Sequence, residues 1–138
     1  DPYLSRGLGD VYKRQVIITG EGGSGGALAI GVGDHICMLE YSIYAVASPE
    51  ACASIVWRDK SKANEAAKAM KVDADSLIKF GLIDEIITEP LGGAHRDLGG
   101  ACNLISNSIE KNLIHLNNQD IEEILKKRYE KIMSYGLV

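Results

Sequence analysis

At 138 residues, 46% hydrophobic and 25% charged, the chain has the make-up of one globular domain or a piece of one, with enough apolar residues to bury a core. A formal net charge of −4, from 15 basic and 19 acidic residues, provides neither a basic face for nucleic acid nor a polybasic segment for a membrane surface. No apolar run is long enough to span a bilayer and no charged-then-apolar start marks a secretory signal, so a cytoplasmic protein with neither partner is expected.

Residues 1–15, DPYLSRGLGDVYKRQ, follow neither helical nor strand periodicity and are expected to stand outside the fold as an unmatched leader. From Val16 the pattern becomes legible. Val16 to Thr19 is a β-branched run that reads as a strand. It feeds GEGGSGGALAIGVGD, Gly20 to Asp34, in which seven of fifteen residues are glycine. A glycine turn followed by a short helix from about Gly25 is expected, with Gly31 and Gly33 stopping it. His35 to Glu40 and Ile43 to Ala47 read as two strands in close succession, a bent strand or a tight pair.

Ser48-Pro49-Glu50 is a helix start, with a hydroxyl N-cap, proline in the first position and an acid in the first turn; that helix should run to about Trp57. Lys60 to Met70 predicts an alanine-rich helix with Ala63, Ala66, Ala67 and Met70 on one face. Asp73 should cap another short helix carrying Leu77, Ile78 and Phe80, closed by Gly81 before a strand from Ile83 to Ile87. A second glycine loop, LGGAHRD, precedes two helices. The first, from about Leu98 to Leu116, aligns Leu104, Ile105, Ser108, Ile109, Asn112 and Leu113. The second starts near Gln119 or Asp120, with Ile121, Ile124, Leu125, Ile132 and Met133 apolar and Glu122, Glu123, Lys126, Lys127, Arg128 and Glu130 as a solvated face.

The three cysteines, Cys37, Cys52 and Cys102, form no C-x-x-C pair and read as reduced core thiols. His35 and Cys37 would share one side of a strand, but two further metal ligands are not in sight and no metal is expected. The chemistry is expected in the glycine segment, where a strand, a turn and a helix start aim backbone N–H groups at one point and suit an oxyanion or phosphate. Two other templates fit it. Gly20-x-Gly22-x-x-Gly25, with Glu40 about twenty residues on, matches a Rossmann dinucleotide-binding fingerprint, although the following helix looks too short for a crossover. Gly22-Gly23-Ser24-Gly25-Gly26 satisfies a nucleophile elbow, with Asp84 and His95 in serine-hydrolase order. A Walker loop fails for want of Gly-Lys-Ser/Thr.

GEGGSGGALAIGVGD, MLEYSIYAVASPEACASIVWRD, LIDEIITEPLGGAHRD and RYEKIMSYG together resemble the alpha subunit of acetyl-CoA carboxylase carboxyltransferase, from about Val16 to the C-terminus. The resemblance implies an α/β, crotonase-like ββα spiral, incomplete at its N-terminus, with residues 16–96 in the core and residues 97–138 as C-terminal helices. In that family the alpha and beta subunits, expected as an α2β2 assembly, transfer a carboxyl group from carboxybiotin to acetyl-CoA, giving malonyl-CoA for fatty acid synthesis. The resemblance also implies biotin carboxyl carrier protein and biotin carboxylase as partners. It places Gly25 and Gly26 as the oxyanion N–H donors for the biotin ureido oxygen. Gly22, Gly23 and Ser24 then shape the loop, and Arg96 is a candidate for substrate contact. The roles of His95, Glu40, Glu50 and Tyr44 stay open.

Overall fold

The computed structural model describes residues 13–136, and its strands alternate between two parallel sheets. β1 (Gln15–Ile18), β3 (His35–Leu39) and β5 (Glu85–Ile87) form one sheet in that order, while β2 (Glu21–Gly23) and β4 (Ile43–Ala45) form the other. Each turn of chain lays one strand in each sheet and returns through a helix. α1 (Ser24–Ile30) closes the first turn and α2 (Pro49–Trp57) the second. The expected ββα spiral is therefore present.

Two expectations change here. His35–Leu39 and Ile43–Ala45 are neither a bent strand nor a pair, because Glu40 to Ser42 carry the chain from one sheet to the other. The glycine segment is likewise not all turn. Glu21, Gly22 and Gly23 pair in parallel with Ile43, Tyr44 and Ala45, so a strand lies inside it. α1, although only seven residues long, does join parallel neighbours, since β2 supplies the remaining span between β1 and β3.

β3 is central and buried on both faces. Ile36 and Met38 face a core with Ile18, Ala74, Leu77 and Ile83, and Cys37 and Leu39 face a second one with Ile87 and Ile105. This is why His35 to Glu40 reads as an uninterrupted apolar run. α4 (Ala74–Lys79) is capped by Asp73, which accepts from Ser76 N at 2.9 Å, and contributes Leu77 to the first core. Ile78 and Phe80, expected with it, are exposed because six residues present only one inward face.

The alanine-rich stretch splits into a 3-10 turn at Lys60–Lys62 and α3 (Ala63–Met70), with Ala66 as its buried contact and Ala67 exposed. α5 (Leu98–Asn117) buries Ala101, Ser108, Asn112 and Leu116, and leaves Leu104 and Leu113 exposed. α6 (Ile121–Ser134) starts at Asp120 as expected and buries Ile124.

The charged face of α6 is not wholly solvated. Arg128 grips the nearly buried Asp34 through two bonds of 2.7 Å, and Asp34 also accepts from Arg14 N at 2.6 Å. Lys131 pairs with Asp84, which also accepts from Ile36 N at 2.7 Å. Carboxylates at the entry to β3 thus anchor the last helix. The last three residues of the expected leader join the fold, since Gln15 opens β1, Arg14 joins this anchor and Lys13 donates to Asn117 Oδ1 at 3.1 Å; residues 1–12 lie outside the described residues. Of the cysteines, Cys37 is buried and Cys102 exposed, so only part of the set is core thiol.

Candidate active site

Among the described residues no side chain caps the N-terminus of α1. Gly23 occupies the cap position in extended conformation and makes no side-chain cap bond, so the first N–H groups of the helix lack an internal acceptor. Gly25 and Gly26 stand there, both exposed, and a Cβ built on either meets nothing within 4 Å. The same is true of Gly23. A ligand therefore has free approach to these peptide groups, and glycine keeps it free.

Ser24 carries the bend from strand to helix, with φ of 61° in the left-handed region. A seryl residue there costs about 1–2 kcal/mol relative to right-handed backbone. Its hydroxyl is exposed and has no hydrogen-bond partner among the described residues. Asp84 is occupied by Ile36 N and Lys131, and His95 lies against Gly93 in the loop after β5. The serine, acid and imidazole are in hydrolase order along the chain, yet no hydrogen bond joins them among the described residues. The hydrolase reading has the bent serine and lacks its base.

The dinucleotide reading fails on topology. Gly20 to Gly23 run into and through β2, so no tight turn links β1 directly to a helix. Glu40, the candidate ribose ligand, accepts from Glu89 N at 3.2 Å, and Glu89 in turn accepts from Tyr41 N and Ala94 N. These acids tie the loops after β3 and β5 together.

A cleft of about 420 Å³ runs beside the glycine segment, lined by β1, by Gly20 to Gly23 and by Ala27, Ile30, Gly31 and Tyr44. Gly22 and Gly23 are thus cleft residues, whereas Ser24, Gly25 and Gly26 stand outside its lining, on the exposed start of α1. Arg96 does not line it; its side chain covers Gly92 in the exposed loop before α5. Glu50 is an exposed residue of the first turn of α2. Tyr44 had no signal of its own in the sequence, and only the β2–β4 pairing brings it beneath α1.

On the opposite side of the first sheet the ligating atoms of His35, Cys37 and Glu85 lie within 4.8 Å of one another. Glu85, on the neighbouring strand β5, is the third group that sequence spacing did not offer; it is the register partner of Cys37. Its carboxylate is already committed. Asn112 donates at 2.9 Å, Ser108 at 3.2 Å, and His35 and Lys111 approach at 3.3 Å. Burial opposes its ionisation most strongly, but the donors Asn112, His35, Lys111 and Ser108 together hold it below the usual carboxylate range. Burial pushes the Cys37 thiol up, against the lowering effect of the Ser108 hydrogen bond, so it sits there as a neutral thiol. With a lysine ammonium compensating the charge, these residues form a structural network.

The alternation of strands between two parallel sheets, with a glycine-rich helix start following β2, defines a crotonase-like α/β protein. A crystal structure of a Pseudomonas malonate decarboxylase hetero-tetramer in complex with coenzyme A shares this fold, with a TM-score of 0.63 at 18% identity, covering 89% of this chain and 49% of that chain. The model of the family described as acetyl co-enzyme A carboxylase carboxyltransferase-like matches residues 13–136, and the chain belongs to that family. It is 56% identical over 119 residues to the acetyl-coenzyme A carboxylase carboxyl transferase subunit alpha of Photobacterium profundum, covering 86% of this chain and 37% of that one. The subunit of the same name from Methylococcus capsulatus is 51% identical, covering 97% of this chain and 43% of that one. The chain thus spans about two fifths of the length of these curated relatives.

Proposed function

We propose that this chain supplies the alpha-subunit side of a carboxyltransferase site, in which the Gly25 and Gly26 N–H groups hold an oxyanion while a carboxyl group passes from carboxybiotin to acetyl-CoA, forming malonyl-CoA. What carries the reading is the pair of exposed, uncapped glycine peptides at the start of α1, in a chain of this family. Neutral N–H donors fixed in main chain match an oxygen that gains charge only as the reaction proceeds, and they need no reorganisation when it does. The open space above Gly23, Gly25 and Gly26 fits a ligand ring approaching the main chain closely. Carboxybiotin, when bound, supplies the carboxyl group that moves. Ser24 acts as a spacer holding the bend, and its hydroxyl takes no part in the transfer.

The partners follow from the same reading. A beta subunit completes the site in an α2β2 assembly, biotin carboxyl carrier protein delivers the biotin, and biotin carboxylase loads it in the cytoplasm. Exposed apolar residues on α1 and α2, among them Leu28 at 63% and Ile55 at 76%, support a partner surface. Among the described residues β1 and β2 each stand at an edge of their sheet, which supports pairing with further ββα turns in a longer subunit, and the test belongs in a full-length alpha subunit carrying this sequence. Among the described residues no helix is long and apolar enough to cross a membrane.

The test is reconstitution of that subunit with a beta subunit and measurement of carboxyl transfer between malonyl-CoA and a biotin analogue. Gly26→Val keeps the N–H but puts an isopropyl group in the ligand's approach to it, and should lower turnover by about a hundredfold to a thousandfold, as much as losing one oxyanion donor, while Ser24→Ala is tolerated. Loss of transfer in Ser24→Ala with retention in Gly26→Val would overturn the assignment.

A further inference from the structure

α1 has little of its own to hold it in place. It is seven residues long, buries none of them completely and lacks a side-chain N-cap, and a helix that short has little intrinsic stability. If its first N–H groups are to keep a fixed aim, the constraint must come from outside the helix. Tyr44 supplies it. The phenol hydroxyl donates to Ala27 O at 3.3 Å, and that carbonyl also accepts from Gly31 N at 2.8 Å, where the helix ends.

The two glycines that touch this side chain are glycines because of it. Gly31 has φ of −67°, a conformation any residue adopts, so its backbone gives no reason for the missing side chain. A Cβ there would lie only 2.2 Å from Tyr44 Oη and 3.3 Å from Cζ. Gly22, the register partner of Tyr44 across β2 and β4, leaves room for the edge of the ring, since a Cβ would lie 3.0 Å from Cδ2. One aromatic side chain therefore contacts both the strand that feeds α1 and the residue that ends it.

Tyr44 is itself well anchored. Its N–H donates to Val72 O at 3.1 Å, and its ring packs against the core of Ile18, Ile36, Met38, Ala74, Leu77 and Ile83. Burial pushes the phenol up, so it remains a donor at neutral pH.

We propose that Tyr44 is a positioning residue of the candidate oxyanion site, bracing α1 against the core so that the Gly25 and Gly26 N–H groups stay aimed at one point. This rests on the reading of those two peptides as the donors. Its mechanical content is that Gly31 and the Tyr44 hydroxyl share one space, and that filling or emptying this space tilts α1.

The experiment uses the full-length alpha subunit reconstituted with its beta subunit, comparing Tyr44→Phe, Gly31→Ala and the double variant by kcat, KM for malonyl-CoA and thermal unfolding. Tyr44→Phe should lower kcat about fivefold, the rate equivalent of one ordinary net hydrogen bond, with KM unchanged. Gly31→Ala should lower kcat by about tenfold to a hundredfold, as a displacement of up to about 1 Å at the donors would. Removing the hydroxyl lifts the 2.2 Å overlap and leaves Ala27 O at 3.1 Å and the ring Cζ at 3.3 Å as the nearest atoms to the new methyl group, contacts that a shift of a few tenths of an ångström relieves. The double variant should accordingly return to the kcat of Tyr44→Phe.

A double variant no faster than Gly31→Ala would overturn the brace, and so would unchanged kcat in Tyr44→Phe with only the melting temperature lowered. If Gly31→Ala does not fold, Tyr44→Phe decides by its kcat, since it removes a single oxygen. Gly26→Val separates the two ideas. Activity retained in it would overturn the donor assignment, whereas inactive Gly26→Val beside an unrescued Gly31→Ala would overturn the brace alone.

Discussion

Two polar regions lie on opposite sides of β3, and they use their hydrogen-bonding groups in opposite ways. Around Glu85 every group with conspicuous chemistry is committed: a carboxylate, an imidazole, a thiol, an ammonium, a hydroxyl and an amide bond one another in and around the second core. At the start of α1 the side chains have almost no chemistry, and the peptide groups are left uncommitted. Satisfied polar groups hold a structure together; exposed donors held in place are available to a ligand. Residue type alone would have ranked the two regions the other way.

The strongest challenge to that contrast comes from the committed side. Arg128→Ala, which leaves the nearly buried Asp34 carboxylate without its guanidinium, should destabilise the protein by about 3–5 kcal/mol in urea unfolding. It should leave transfer per folded molecule unchanged. Gly26→Val should do the reverse, lowering turnover by the equivalent of about 2.7–4 kcal/mol while the unfolding free energy shifts by no more than about 1 kcal/mol. A transfer defect in Arg128→Ala as large as that of Gly26→Val would erase the distinction.

A smaller effect separates charge from packing at Glu85. Its folded-state pKa lies below the ordinary glutamate value of 4.5, so its contribution is complete above that pH and is lost as pH falls through the folded value. Glu85→Gln should therefore cost about 1.5–3 kcal/mol at pH 7, and the gap to the parent protein should narrow steadily below pH 4.5. A gap independent of pH would mean that shape, not charge, is what the network needs. The smallest effect concerns Ser24, whose left-handed backbone favours glycine. Ser24→Gly should raise stability by about 1 kcal/mol in the same unfolding assay and leave turnover within about twofold.

Legibility in the sequence followed range. Ser48, Asp73 and Asp120 were readable as helix starts because a cap bonds a backbone N–H two or three residues away. The uninterrupted apolar run of β3 was readable because a strand covered on both faces has no polar alternation. Gly25 and Gly26 were readable as candidates because a main-chain site is marked by the absence of side chains. Glu21–Gly23 is not legible as a strand, since nothing within three residues distinguishes a paired glycine strand from a glycine turn. Arg128 reads as a solvated charge in the sequence because its partner Asp34 is 94 residues away.

The amino-acid sequence by itself determined most of the local elements, the glycine-rich start of α1 and, through four motifs in order, the family to which the chain belongs. Tertiary structure alone decided which strands share a sheet, that Glu85 joins His35 and Cys37, that the basic residues of α6 are anchors, and that Tyr44 lies beneath α1. The physical reason is separation along the chain. Caps, turns and periodicity act over a few residues and leave a mark in composition, whereas pairing across sheets depends on where distant segments meet once the core has closed.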